Sequence, residues 1–202
     1  MKQKNMFLLV KENNFAAVKL LKRTHGKQLI GTLINLQTLL LVMDKRKILQ
    51  LLGFVILCEI IGSLGAIFTT PNIPTWYALL AKPFFSPPNW IFAPVWTTLF
   101  LLMGIAIFLI WENKDKKILV QRKSAILWFA VQFVFNILWS FLFFGLKNPF
   151  YGFIGIIFLW VSIVITILSF YKINKKAAYL LIPYLLWVSF ASILNYFVMI
   201  LN

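Results

Sequence analysis

The sequence predicts an all-α membrane protein, a bundle of five transmembrane helices. Three observations carry this. First, 61% of the 202 residues are hydrophobic and only 12% are charged, about half the charged share of a domain that must solvate its surface; mean hydropathy is +0.88. Second, five apolar runs each approach the ~20 residues that a helix needs to cross hydrocarbon. Third, the basic residues behind the net charge of +15 fall in short clusters between those runs. That is the pattern of loops at a membrane face, not of a groove that reads nucleic acid, and no nucleic-acid partner is expected.

The runs cover residues 48–69, 90–111, 124–146, 150–171 and 177–201. The first stops at Pro71 and Pro74, the second at Glu112, Asn113, Lys114 and Asp115, and the third at Lys147, Asn148 and Pro149. Each must be helical, because a lone strand leaves its backbone polar groups unpaired in lipid. Short connections after spans two, three and four make those helices antiparallel neighbours. Eleven basic residues, at 45–47, 114–123 and 172–176, lie on one side, against Lys82 and Lys147 on the other. This bias predicts a cytoplasmic N-terminus, an outer C-terminus and an outer first loop at 70–89, with a bacterial plasma membrane as the default location.

Residues 1–42 differ from the remainder, 43–202. They are basic, and their apolar stretches are too short to span. One reading is an amphipathic segment lying on the membrane surface. The other, which we favour, is a chain that properly starts at Met43, where MDKRKILQLLGF reads as an ordinary membrane-protein start. A signal peptide fits poorly, since no small-residue cleavage site follows.

Several chemistries are excluded. Cys58 is the only cysteine and sits inside an apolar run, and His25 is the only histidine. No multi-cysteine metal site, phosphate-binding glycine loop or Ser-His-Asp set is present, so neither a metal nor a cofactor is expected.

The first loop is both stiff and aromatic. Pro71, Pro74, Pro83, Pro87 and Pro88 restrict its backbone, and Trp76, Tyr77, Phe84, Phe85 and Trp90 load it with rings. An aromatic belt at the headgroups explains a few such rings; a lid packed over the mouth of the bundle explains their concentration. In span three, Gln132, Asn136, Trp139, Ser140 and Phe143 share one helical face. In span five Tyr184, Trp187, Ala191 and Asn195 do so, and in span two Trp96, Phe100 and Met103. Polar side chains in mid-membrane avoid lipid, so these faces turn inward and bring their tryptophans with them. The resulting interior suits a flat, largely apolar ligand with polar edges, although each amide or hydroxyl also fits a plain interhelical hydrogen bond. Glu59 is an intramembrane carboxyl and a functional candidate by default, or else an acid bonded to a neighbouring helix. Gly53, Gly62 and Gly65 permit close helix contact.

Trp76-Tyr77, Leu80, Lys82-Pro83, Pro87-Pro88, Trp90, Phe92, Val95-Trp96 and Met103-Gly104 resemble the first loop and second helix of the TspO/MBR family (tryptophan-rich sensory protein, translocator protein). QFVFNILWSFLFF is similar to that family's third helix, and LLIPYLLWVSFASILNYFVMILN to its fifth. Phe85 stands where the family often has Trp, and Phe100 where it often has Tyr. No Lys or Arg follows Tyr196, so the cholesterol-type motif of animal members is missing there, and sterol binding is not expected.

The resemblance implies a homodimer in contact with membrane lipid. It also implies a site beneath the first loop for a tetrapyrrole, protoporphyrin IX or haem-like. Its ligand-binding candidates are Trp76, Tyr77, Pro87, Trp90, Trp96, Asn136, Trp139, Ser140, Tyr184, Trp187 and Ala191. Three roles follow: a receptor, sensor or transporter; an enzyme that degrades protoporphyrin with light and oxygen, with Trp96 and Trp187 as catalytic candidates; or a structural protein with a vestigial cavity.

Overall fold

The computed structural model describes residues 45–202; the expectations about residues 1–42 lie outside them. Residues 50–202 form one compact unit that holds the bundle. Its helices are α1 (Lys45–Ser63), α2 (Ala66–Thr69), α3 (Trp76–Leu79), α4 (Phe92–Glu112), α5 (Leu119–Ser140), α6 (Pro149–Tyr171), α7 (Lys175–Leu180) and α8 (Ile182–Leu201). Single 3₁₀ turns precede α4 and α5, and a π-helical turn, Phe141–Gly145, follows α5. Apart from α3, which lies in the first loop, these form five helical segments of membrane-spanning length and apolarity: Lys45–Thr69, Asn89–Glu112, Lys116–Gly145, Pro149–Tyr171 and Lys175–Leu201. The protein is thus an integral, multi-pass helical membrane protein.

Local chemistry explains the ends. Asn148 Oδ1 accepts from the amides of Phe150 and Tyr151 at 3.0 and 3.1 Å, and Pro149 follows at the first helical position, so α6 starts there. Asn174 caps α7 in the same way through Lys176 and Ala177. Span three begins at Lys116, earlier than the expected residue 124, because Asp115 Oδ1 accepts from the Lys117 amide at 2.9 Å and seeds a turn ahead of the apolar run.

Three spans depart from a uniform helix. In span one the amides of Leu64, Gly65 and Ile67 reach back three residues, to the carbonyls of Ile61, Gly62 and Leu64, at 3.2, 3.3 and 3.3 Å. That separates α1 from α2 inside the membrane. Span three widens into the π turn, closed by Leu146 N–H donating to Phe141 O at 2.8 Å. Span five breaks between α7 and α8 at Leu181, where Pro183 has no N–H for the helical ladder.

Helix α6 packs against α5 and α8, and α7 against α4 and α6. Ala106, Ala125, Ala177 and Ala178 are fully buried at the end of the bundle away from the first loop, and small residues there let the helices close tightly. Leu52, Ile56, Ile60, Val134, Phe158, Leu168 and Ile193 stay exposed, an exterior suited to hydrocarbon.

Candidate functional site

At the loop end the helices stand apart around a cavity of about 410 Å³, lined by spans one, two, three and five and by the first loop. Span four contributes nothing to this wall. Its hydroxyls are spent on their own helix: Ser162 Oγ donates to Leu159 O and Thr166 Oγ1 to Ser162 O, each at 2.7 Å.

One wall is a run of nearly parallel rings. Phe133 and Phe100 lie 6.2 Å apart at 26°, Phe100 and Trp96 5.4 Å at 27°, Trp96 and Trp139 6.4 Å at 32°, and Trp139 and Phe143 6.0 Å at 29°. Four of these rings, Phe100, Trp96, Trp139 and Phe143, face the cavity. The helical spacings put them there: Trp96 and Phe100 are i, i+4 on α4, and Trp139 and Phe143 are i, i+4 across the start of the π turn. Opposite them, span one presents Glu59, Gly62, Ser63 and Ala66 at i, i+3, i+4 and i+7, so small groups meet the rings. The closest approach is at Gly62, where a Cβ would sit 2.4 Å from the Phe100 ring.

A polar layer backs the rings. Tyr184 is buried and donates its hydroxyl to Gln132 Oε1 at 2.9 Å while accepting from Asn136 Nδ2 at 3.2 Å. Gln132 Nε2 reaches Met103 Sδ at 3.8 Å. Trp139 Nε1 donates to Asn195 Oδ1 at 3.2 Å, and Asn195 Nδ2 to Pro149 O at 2.8 Å. These bonds fix the orientations of Asn136 and Trp139 from behind. Ser140 is different: it is 6% exposed and lines the cavity, and its hydroxyl bonds to no described residue. The two irregular helix segments meet at this serine, since a Cβ on Gly65 would fall 2.8 Å from Ser140 Oγ. π turns gather at functional sites because they re-aim side chains that a regular helix would stagger.

The first loop closes the top. Tyr77 is buried against Phe143 and Phe144, at 6.2 and 5.6 Å, and Trp76 lies 5.5 Å from Phe143. Phe85 packs on Phe190 and Phe197 of α8. Asn202 ties the loop down twice, accepting from the Ala81 amide and donating to the Ala81 carbonyl, both at 3.0 Å. Burial pushes the Tyr77 hydroxyl above its usual range, partly offset by a hydrogen bond with Ser86.

Of the residues singled out from the sequence, the structure brings Tyr77, Trp96, Asn136, Trp139, Ser140 and Ala191 to the cavity surface. It does not bring Trp76, Pro87, Trp90, Tyr184 or Trp187 there. Trp76 stands behind Tyr77, and Tyr184 lies in the polar layer beneath the wall. Pro87 sits in the loop, and Trp90, at the start of span two, is 72% exposed. Trp187 turns to the groove between spans two and five, beside Pro94, Thr98 and Pro183, and Phe92 stands between it and the cavity at 5.9 Å. At 100° per residue Trp187 is about 60° from Tyr184 around α8, at the edge of the face that the spacing assigned to it. Gly65, expected only to permit close helix contact, also lines the cavity, as do Thr97 and Phe144, which the sequence did not single out. The i, i+3, i+4, i+7 run of small residues after Glu59 is the signal that marks this side of span one.

The sequence model of the TspO/MBR family matches residues 54–201. The chain is 42% identical over 158 residues to the tryptophan-rich protein TspO of Archaeoglobus fulgidus, covering 77% of this chain and 98% of that one. It is 41% identical over 157 residues to the protein of the same name from Chlorobaculum tepidum, covering 78% and 98%. It is 35% identical over 147 residues to the translocator protein of Bos taurus, covering 71% and 85%.

Proposed function

The chain belongs to the TspO/MBR family, and we propose that it is a membrane receptor or sensor that holds a tetrapyrrole such as protoporphyrin IX in the cavity beneath its first loop. The observation that carries this reading is the aromatic wall. Phe100, Trp96, Trp139 and Phe143 follow one another at 27–32° between neighbouring planes and line the cavity, which offers a flat, largely apolar ligand a continuous aromatic contact surface. The cavity volume falls in the ~300–1,000 Å³ range of small-molecule sites. The Ser140 hydroxyl, which bonds to no described residue, offers a polar contact beside the aromatic wall. The basic clusters at 45–47, 114–123 and 172–176 support a cytoplasmic N-terminus, with the cavity opening toward the outer face.

Titration of the detergent-purified protein with protoporphyrin IX, followed by tryptophan fluorescence, tests the reading. Saturable quenching is expected, and it weakens in Trp96→Ala and Tyr77→Ala; absence of saturable quenching in the unmodified chain overturns it. A second reading, light- and oxygen-dependent degradation of the bound porphyrin, is favoured by the position of the oxidisable Trp96 indole in the wall. Illumination of the complex separates the two. Spectral loss that continues unchanged in Trp96→Phe removes that indole from any such chemistry. Uptake into proteoliposomes tests transport.

A further inference from the structure

The cavity wall carries one ionisable side chain within the spans, Glu59. It lies a turn before the break in span one and is half-buried. Among the described residues its carboxyl makes no hydrogen bond or ion pair, and no lysine, arginine or histidine of theirs lines the cavity. The nearby polar groups of its own span are already used: Ser63 Oγ donates to Ile60 O at 2.8 Å and Thr69 Oγ1 to Gly65 O at 3.1 Å. Span two adds Phe92, Ala93, Trp96, Thr97 and Phe100 to the same wall, none of them charged. Span three adds the unpartnered Ser140 hydroxyl. A carboxyl inside a membrane is costly unless something supplies it with donors or positive charge. No described residue does so, and the space it faces is the cavity.

We propose that Glu59 sets the charge preference of the cavity: it receives the N–H or cationic edge of a ligand and turns ligand carboxylates away from the membrane interior. This rests on the reading of the cavity as a ligand site and adds to it an orientation. Carboxylates are directed to the loop end, where Lys82 Nζ stands 4.7 Å from the centre of the Tyr77 ring, bonded to the carbonyls of Ala78 and Leu80. Even at ~15 Å and an effective dielectric constant of ~20, a charge like that of Glu59 weakens binding of a ligand carboxylate about sixfold.

The test uses the full chain in detergent with two probes that share one macrocycle, protoporphyrin IX and its neutral dimethyl ester, each titrated by tryptophan quenching. In Glu59→Gln, the ratio of the acid's Kd to the ester's is expected to fall about sixfold. Glu59→Asp keeps the charge and should keep the original ratio. Glu59→Leu, compatible with lipid, is the second neutral variant and should behave as Glu59→Gln. An unchanged ratio in both neutral variants overturns the assignment of Glu59 while leaving the site in place. Absence of saturable quenching by both probes in the unmodified chain overturns the site reading, and this inference with it.

Discussion

Replacing Gly104 with alanine puts a methyl carbon 2.5 Å from Val55 Cα and 3.0 Å from Val55 N and Cγ2. Two of these three atoms are backbone, so no rotamer change relieves the contact; spans one and two must separate by about 1 Å or the chain must bend. Overpacking of this kind costs about 1–3 kcal/mol. The molecule contains its own reporter, since Cys58 is the sole cysteine of the chain, lies one turn beyond Val55 and is 2% exposed. A membrane-permeant thiol reagent reaches it only when span one moves off the bundle, so the labelling rate follows the free energy of that local opening. Loss of 1–3 kcal/mol raises the opening equilibrium about 5- to 150-fold, and Gly104→Ala should label faster by that factor. Gly53→Ala is the control. It lies on the same span with nothing within 4 Å of the added carbon, so it should label no faster than the original chain, and removing a mid-helix glycine favours the helix by about 0.5–1 kcal/mol. Equal labelling of Gly104→Ala and Gly53→Ala would refute the claim that the Gly104–Val55 approach holds span one in place.

Tyr184→Phe removes the hydroxyl shared by Gln132 and Asn136; unfolding in mixed micelles should show a loss of about 1–2 kcal/mol, with porphyrin affinity falling as Asn136 loses its anchor. Asn202→Ala breaks both bonds to Ala81, so proteolysis within residues 70–89 should accelerate severalfold while unfolding of the spans is little changed. Because the Tyr77 hydroxyl is held above its usual range, the loop keeps its docking energy below about pH 10, where the free phenol titrates, and loses it progressively as pH rises further. Amide exchange in the loop should show that alkaline release, and Tyr77→Phe should abolish it.

The five spans were legible because their determinants are local: run length, flanking charge and the prolines or asparagines that stop or cap a helix. The inward faces of span three and of Trp96 and Phe100 were legible because intramembrane polar residues and helical periodicity point the same way. Glu59 could be named as an intramembrane acid, but its side of the helix could not, since no polar partner repeats along span one. Trp187 shows where periodicity fails. At the edge of a face, about 60° from its reference residue, a large ring goes wherever the neighbouring helix leaves room, and Phe92 occupies the cavity side. Trp90 shows a different gap. Proline spacing indicates a stiff loop but not which of its rings fold under it, and that is decided by the distant contacts of Phe85 with Phe190 and Phe197.

The existence of a cavity follows from how residue size is distributed with depth. Successive spans run in opposite directions, so the end of span one, the start of span two and the ends of spans three and five lie at one level. At that level the sequence places large rings, Trp96, Phe100, Trp139 and Phe143, opposite small groups, Gly62, Ser63 and Ala66. At the other level it places Ala106, Ala125, Ala177 and Ala178, all fully buried. Alanine draws helices together, whereas the rings meet span one closely at Gly62 and leave beside that contact a space that its other small residues do not fill. The opening is thus maintained by packing on both sides, with the tight alanine end acting as the base. Filling it from the small side tests this: Ala66→Phe places a ring where span one faces the aromatic wall, and it should abolish porphyrin quenching while thermal stability is retained. Retained porphyrin affinity in that variant would mean that the ligand lies elsewhere than between these two walls.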